Sequence, residues 1–135
     1  MGLTEDRIKA FEAKREKLMK QGGEAAIKKQ HESGKMTARE RLLKLYDAGT
    51  FQEVQLFVEK RSTLFGLGEK DINADAVVCG FGSVNGRTVF AAAQDFTSAG
   101  GSLGEMHAKK IWKVMDMAKD AKKPFIALND SGGAR

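Results

Sequence analysis

Asn85-Gly86 separates two β-rich runs, AVVCGFGSV before it and RTVFAAA after it. Such a pair between such runs is the strongest local signal for a tight hairpin, because both residues tolerate positive φ. The hairpin also constrains the chain beyond it. The next stretch, QDFTSAGGSLGEMHAKKIWKVMDMAKDAKKP, carries an apolar stripe at helical spacing: Ala108, Ile111, Met115 and Ala118, widened by Val114 and Met117. Ser102 and Glu105 have capping-box spacing at its start, and Pro124 stops it. FIAL then reads as another apolar strand, and residues 51–58, FQEVQLFV, as one ahead of the hairpin. The expected class is α/β. Gly80 and Gly82 imply close approach of a neighbour or a bulge, and Cys79 is expected as a small buried side chain.

Before Gly49 the pattern is helical. Thr4 can cap a helix carrying Ile8, Phe11, Leu18 and Met19, and Gly22-Gly23 interrupts it. A second short helix runs toward Ser33-Gly34. In TARERLLKLYDAG, Thr37 and Glu40 have capping-box spacing, Leu42, Leu43 and Tyr46 form an apolar face, and Gly49 is a natural stop. These helices are thinly apolar and are expected to lie against something else. The division expected is a helical arm over residues 1–49 and a core over residues 50–135.

Composition excludes several classes. No run of 18 apolar residues exists to span a membrane. The N-terminus is charged from the fifth residue and has no apolar signal region. The single cysteine allows no internal disulfide, which fits a reducing cytoplasm. Net charge is +5, of which +4 falls in residues 1–49. Acids interleave with the bases and aromatics are scarce, so a phosphate-bearing small ligand or an acidic partner fits better than nucleic acid.

The chemistry concentrates in NDSGGAR at residues 129–135. Asp-Ser-Gly-Gly resembles the nucleophile turn of trypsin-like serine proteases, but that fold is all-β, and neither His31 nor His107 sits in a recognisable triad pattern. Two distant histidines and one cysteine give no metal-ligand spacing. Two uses of Gly132-Gly133 remain: a structural turn needing backbone freedom, or a turn whose amides point into a pocket as an oxyanion hole.

Three segments together, KQHESGKMTARERLLKLYDAGTF, FGSVNGRTVFAAAQDFTSAGGSLGEMHAKKI and LNDSGGAR, resemble the biotin-dependent acyl-CoA carboxyltransferases. That group includes the propionyl-CoA carboxylase beta subunit, the methylmalonyl-CoA decarboxylase alpha subunit and the methylmalonyl-CoA transcarboxylase. The likeness runs through nearly the whole chain. TLFG, from Thr63, also resembles members that handle propionyl or methylmalonyl groups.

The resemblance implies a partial crotonase-like N-domain in a chain expected to be an N-terminal fragment, since family members are several times longer. It implies transfer of a carboxyl group between carboxybiotin and propionyl-CoA or methylmalonyl-CoA. Biotin rides on a partner carrier protein, and other carboxyltransferase subunits complete a homo-oligomer. The Ala134 amide, set up by Gly132 and Gly133, would be one donor to the thioester enolate. A second donor and the biotin-side hole lie in family segments beyond this chain, so no carboxyl transfer is expected from it alone. The stretch with Phe96, Gly100, Gly101 and Ser102 resembles the family's loop near the acyl-CoA; a strand-to-helix turn capped by Ser102 is the other reading. A non-catalytic remnant that only folds or joins subunits is the alternative function. Carboxylase, transcarboxylase and decarboxylase differ in their partners, not in this segment.

Overall fold

In the computed structural model, which describes residues 2–135, Val77–Val84 (β2) and Arg87–Gln94 (β3) pair antiparallel with Val84 opposite Arg87. Asn85 and Gly86 are the whole loop, at φ 50° and 77°, as a type I′ turn requires. Asp47 holds it: the Asn85 amide donates to Oδ1 at 3.0 Å and the Gly86 amide to Oδ2 at 2.9 Å. Gly86→Val is expected to cost about 1–3 kcal/mol, because a β-branched residue is strained at this φ. A lowered urea midpoint with unchanged slope is the readout.

Gln52–Val54 (β1) and Phe125–Leu128 (β4) complete a sheet of order β1-β2-β3-β4. β4 runs parallel to β3, so the chain must cross over between them, and the helix Glu105–Ala121 (α4) makes that crossover. Both faces of the sheet are covered. Val77, Cys79, Phe90 and Ala92 meet Val114 and Ala118 of α4. Val78, Val89, Ala91 and Ala93 meet Ala38 and Leu42 of the helix Ala38–Leu45 (α3), and Tyr46 beyond it. Burial on both faces explains why the two strands read as unbroken apolar runs. Gly82 admits the Tyr46 ring, which lies 2.8 Å from where a Cβ would stand. The Tyr46 hydroxyl donates to the Val89 carbonyl at 2.9 Å.

The Thr37–Glu40 capping box forms: the Glu40 amide donates to Thr37 Oγ1 at 3.3 Å and the Thr37 amide to Glu40 Oε2 at 2.8 Å. Three other sequence expectations are corrected. First, the strand at 51–58 stops at Val54, because Gln55 turns left-handed at φ 60° and Val58 closes a turn back to its carbonyl. Phe57 then stacks on Phe11 at 5.0 Å, leaving the sheet for the first helix. Second, that helix, Leu3–Met19 (α1), is capped at Gly2 rather than Thr4; Leu18 is buried, while Ile8 and Phe11 stay half exposed. Third, the buried stripe of α4 runs through His107, Lys110, Val114 and Ala118, and Met115 faces out. A further short helix, Glu24–Glu32 (α2), connects α1 to α3.

Candidate functional site

Beyond β4, Asp130 is held from three sides. Its amide donates to Gln94 Oε1 at 3.2 Å, and its carboxylate accepts from Gln30 Nε2 at 3.1 Å and Lys35 Nζ at 2.9 Å. Partial burial pushes its carboxyl up, but the Lys35 and Gln30 hydrogen bonds outweigh this and hold it below the usual carboxylate range. The Ser131 hydroxyl is spent on the turn: it donates to the Gly133 carbonyl at 3.0 Å and accepts the Gly133 amide at 3.1 Å.

The two segments singled out from sequence meet here. The Gly132 amide donates to the Gly100 carbonyl at 2.9 Å, the Leu103 amide to the Gly133 carbonyl at 2.8 Å, and the Arg135 amide to the Leu103 carbonyl at 2.8 Å. Leu103 and Ala134 thus form a parallel bridge. In that pattern the neighbours of Ala134 turn toward Leu103, while its own amide turns away. The Ala134 amide carries no hydrogen bond among the described residues. Gly101 lets the segments close: at φ 63° its missing Cβ would lie 2.2 Å from the Asp130 carbonyl oxygen.

Ser102 is not a helix cap. α4 begins at Glu105 with Gly104 before it, because Leu103 stays extended to pair with the turn. The Ser102 hydroxyl donates instead to the Ala99 carbonyl at 2.7 Å. Phe96, 41% exposed, lies under Lys35 Nζ at 5.1 Å from its ring centre. Phe96, Thr97 and Gly100 line a cleft of about 330 Å³ with Lys29, Gln30 and Ser33. A second cleft of about 360 Å³ lies across the loop, bounded by Arg61, Phe65, Asp75, Gly104 and Arg135. A larger cleft, about 580 Å³ between α1, α3 and β1, contains none of the turn residues.

Sequence reasoning missed the buried polar groups behind the turn. Ala74, Asp75 and Ala76 are successively left-handed, at φ 50°, 51° and 61°, a conformation that persists only when its surroundings over-determine it. Lys110, fully buried, donates to the Ala74 carbonyl at 2.6 Å and the Val77 carbonyl at 2.9 Å. The His107 amide donates to Asp75 Oδ2 at 2.6 Å, and its Nδ1 meets the Asp75 carbonyl at 2.8 Å. Arg135 pairs with Asp75 Oδ1 and also donates to the Ser102 carbonyl at 2.9 Å. The readable signal was spacing: His107 and Lys110 share the helix face of Val114 and Ala118.

Burial lowers the pKa of Lys110, against the opposing pull of Cys79, Glu53 and Asp75. Burial likewise holds the His107 imidazole below its ordinary 6.5; the Asp75 backbone hydrogen bond opposes this, while Arg135 and Lys110 disfavour the cation. A depressed histidine pKa means that the unfolded chain binds the extra proton first. Its stability contribution is therefore full above about 6.5 and is lost as pH falls from there through the folded-state pKa. Urea midpoints are expected to drop across that window in the native chain and to flatten in His107→Gln.

Among the described residues, no group of three or more His, Cys, Asp or Glu is placed to hold a metal ion, and no helix is long and apolar enough to cross a membrane.

Residues 29–135 match the model of the carboxyl transferase domain family. The chain is 53% identical over its whole length to the methylmalonyl-CoA decarboxylase subunit alpha of Propionigenium modestum, covering 26% of that protein. It is 53% identical over 97% of its length to the propionyl-CoA carboxylase carboxyltransferase subunit of Haloferax mediterranei, covering 25% of it. Among solved structures, the transcarboxylase 12S hexamer with methylmalonyl-coenzyme A and methylmalonic acid bound superposes with a TM-score of 0.95 at 44% identity, over the whole chain and 26% of the other. The chain thus spans about a quarter of the length of these relatives. With four-fifths of its residues inside the family model, and with the same mixed α/β, crotonase-like architecture as the solved carboxyltransferases, the chain belongs to the carboxyl transferase domain family.

Proposed function

We propose that this chain forms the acyl-CoA-binding part of a biotin-dependent carboxyltransferase acting on propionyl-CoA or methylmalonyl-CoA. The observation that carries the reading is the unbonded Ala134 amide, presented by a glycine turn that three backbone hydrogen bonds fasten to the 96–104 loop. A fixed donor of this kind suits the oxygen of a thioester enolate, and removal of one such donor costs about 10²–10³ in rate. Gly132 and Gly133 leave the approach clear. In this reading Phe96, Gly100, Gly101 and Ser102 border the acyl-CoA, with Lys29 and Lys35 as nearby cations for its phosphates. Residues 1–49 are the helical arm laid over residues 50–135.

Carboxybiotin on a partner carrier protein would release CO2, and the biotin ureido group so freed would accept the α-proton. This chain's own residues bind the thioester, orient it and hold its developing negative charge. Further carboxyltransferase subunits are the expected partners in a homo-oligomer, and the cytoplasm the expected compartment.

The test is a titration of the ¹⁵N-labelled chain with propionyl-CoA, with free coenzyme A as control. Saturable shifts at Ala134, Gly100 and Gly101, larger with the thioester than with coenzyme A, are expected. Unmoved resonances at these residues under saturating propionyl-CoA overturn the reading.

A further inference from the structure

We infer that Gln94, His107 and Asp75 form a positioning relay that ties the two ends of the 130–135 turn together and thereby sets the direction of the Ala134 amide. The relay rests on the reading of Ala134 as an oxyanion donor for its purpose, though not for its existence. Its hydrogen bonds run in one direction from Asp130 to Asp75, where the donation from Arg135 meets them. The Asp130 amide donates to Gln94 Oε1 at 3.2 Å. That fixes the side-chain amide, so Gln94 Nε2 faces His107 Nε2 at 3.4 Å. An amide nitrogen only donates, so His107 Nε2 must be unprotonated. At the other side of the ring, Nδ1 meets the Asp75 carbonyl at 2.8 Å, and a carbonyl only accepts, so Nδ1 carries the proton.

Asp75 then completes the circuit. Its carboxylate accepts the His107 amide through Oδ2 and Arg135 through Oδ1. Asp130 opens the turn and Arg135 comes directly after its last donor residue, so the relay grips it at both ends. Every member has one permitted role. Ring protonation would set an N–H against the Gln94 NH₂ group; Gln94 would have to rotate, and the Asp130 amide would lose its acceptor. The charged groups facing the ring, Asp75, Arg135 and Lys110, sum to a cationic surrounding that favours the neutral form.

Three measurements on the ligand-free, full 135-residue chain test this. Long-range ¹H–¹⁵N spectra of the native chain near neutral pH are expected to show His107 as the neutral Nδ1–H tautomer; an Nε2–H tautomer or an imidazolium overturns the relay. In Gln94→Leu, the Leu103 and Arg135 amides are expected to exchange with solvent about tenfold faster or more; unchanged rates in a folded variant overturn it. In Gln94→Glu, the carboxylate can accept from Asp130 but has nothing to donate, so it is expected to draw a second proton onto His107. A glutamine that merely filled space would leave the ring's protonation unmoved, and a neutral ring in this variant overturns the relay. If Gln94→Leu fails to fold, the native tautomer still decides. None of these measurements involves ligand, so they stand or fall separately from the propionyl-CoA titration.

Discussion

Asp75→Ala is expected to destabilise the chain on the order of 3–5 kcal/mol, the usual cost of removing one partner from a buried ion pair. The Asp75 side chain is 1% exposed and that of Arg135 only 14%. Without the carboxylate, the guanidinium keeps its burial but loses its counter-charge, and the His107 amide at the start of α4 loses its acceptor. The left-handed backbone at 74–76 remains and must now be held by an alanine, which tolerates it less well than aspartate. Urea unfolding gives the number. The Asp75→Ala/Arg135→Ala double variant should cost clearly less than the two singles added, since it removes both charges together. A loss below about 1 kcal/mol in the single variant would mean that the pair behaves like a solvent-exposed one.

Gly101→Ala is the second large effect expected. The new methyl carbon would meet the Asp130 carbonyl oxygen at 2.2 Å, a backbone atom that cannot rotate aside. Overpacking of this kind costs about 1–3 kcal/mol, and the left-handed φ of 63° adds about 1–2 kcal/mol for a non-glycine residue. The cheapest relief is separation of the 96–104 loop from the turn. Faster exchange of the Gly132 and Leu103 amides, with the β2–β3 amides unchanged, would report that separation. A variant as stable as the parent, with those amides still protected, would show that the close approach is dispensable.

What could be read from the sequence was local. The Asn85-Gly86 turn and the Thr37–Glu40 capping box each depend on residues within four positions, and both form. The crossover helix and the strand after it could be read from period and punctuation. The failures are long-range. Gln55 ends its strand so that Phe57 can reach Phe11. Ser102 loses the helix because Leu103 pairs with Ala134, 31 residues further on. His107 and Lys110 share the helix face of Val114 and Ala118, but what satisfies them there is distant: a left-handed turn more than 30 residues earlier offers them carbonyls. The site divides the same way. The Gly132-Gly133 turn was marked by its own residues, the segment from Phe96 to Ser102 only by the family resemblance, and their backbone pairing is a tertiary fact. Asp75 carried no local mark at all, and Gln94 and Arg135 stood inside the quoted segments without a role of their own.

The sheet's double covering has a practical corollary for labelling chemistry. Cys79, the chain's one thiol, lies between β2 and α4 at 0% exposure, and burial pushes its pKa up to about 12. Only the thiolate attacks a maleimide or an alkylating reagent, and burial both disfavours that form and seals the sulfur beneath a helix. The native chain is expected to stay unlabelled by thiol reagents. A cysteine placed at the outward-facing Phe65 would take up a fluorophore or spin label alone, beside the cleft that Arg135 borders.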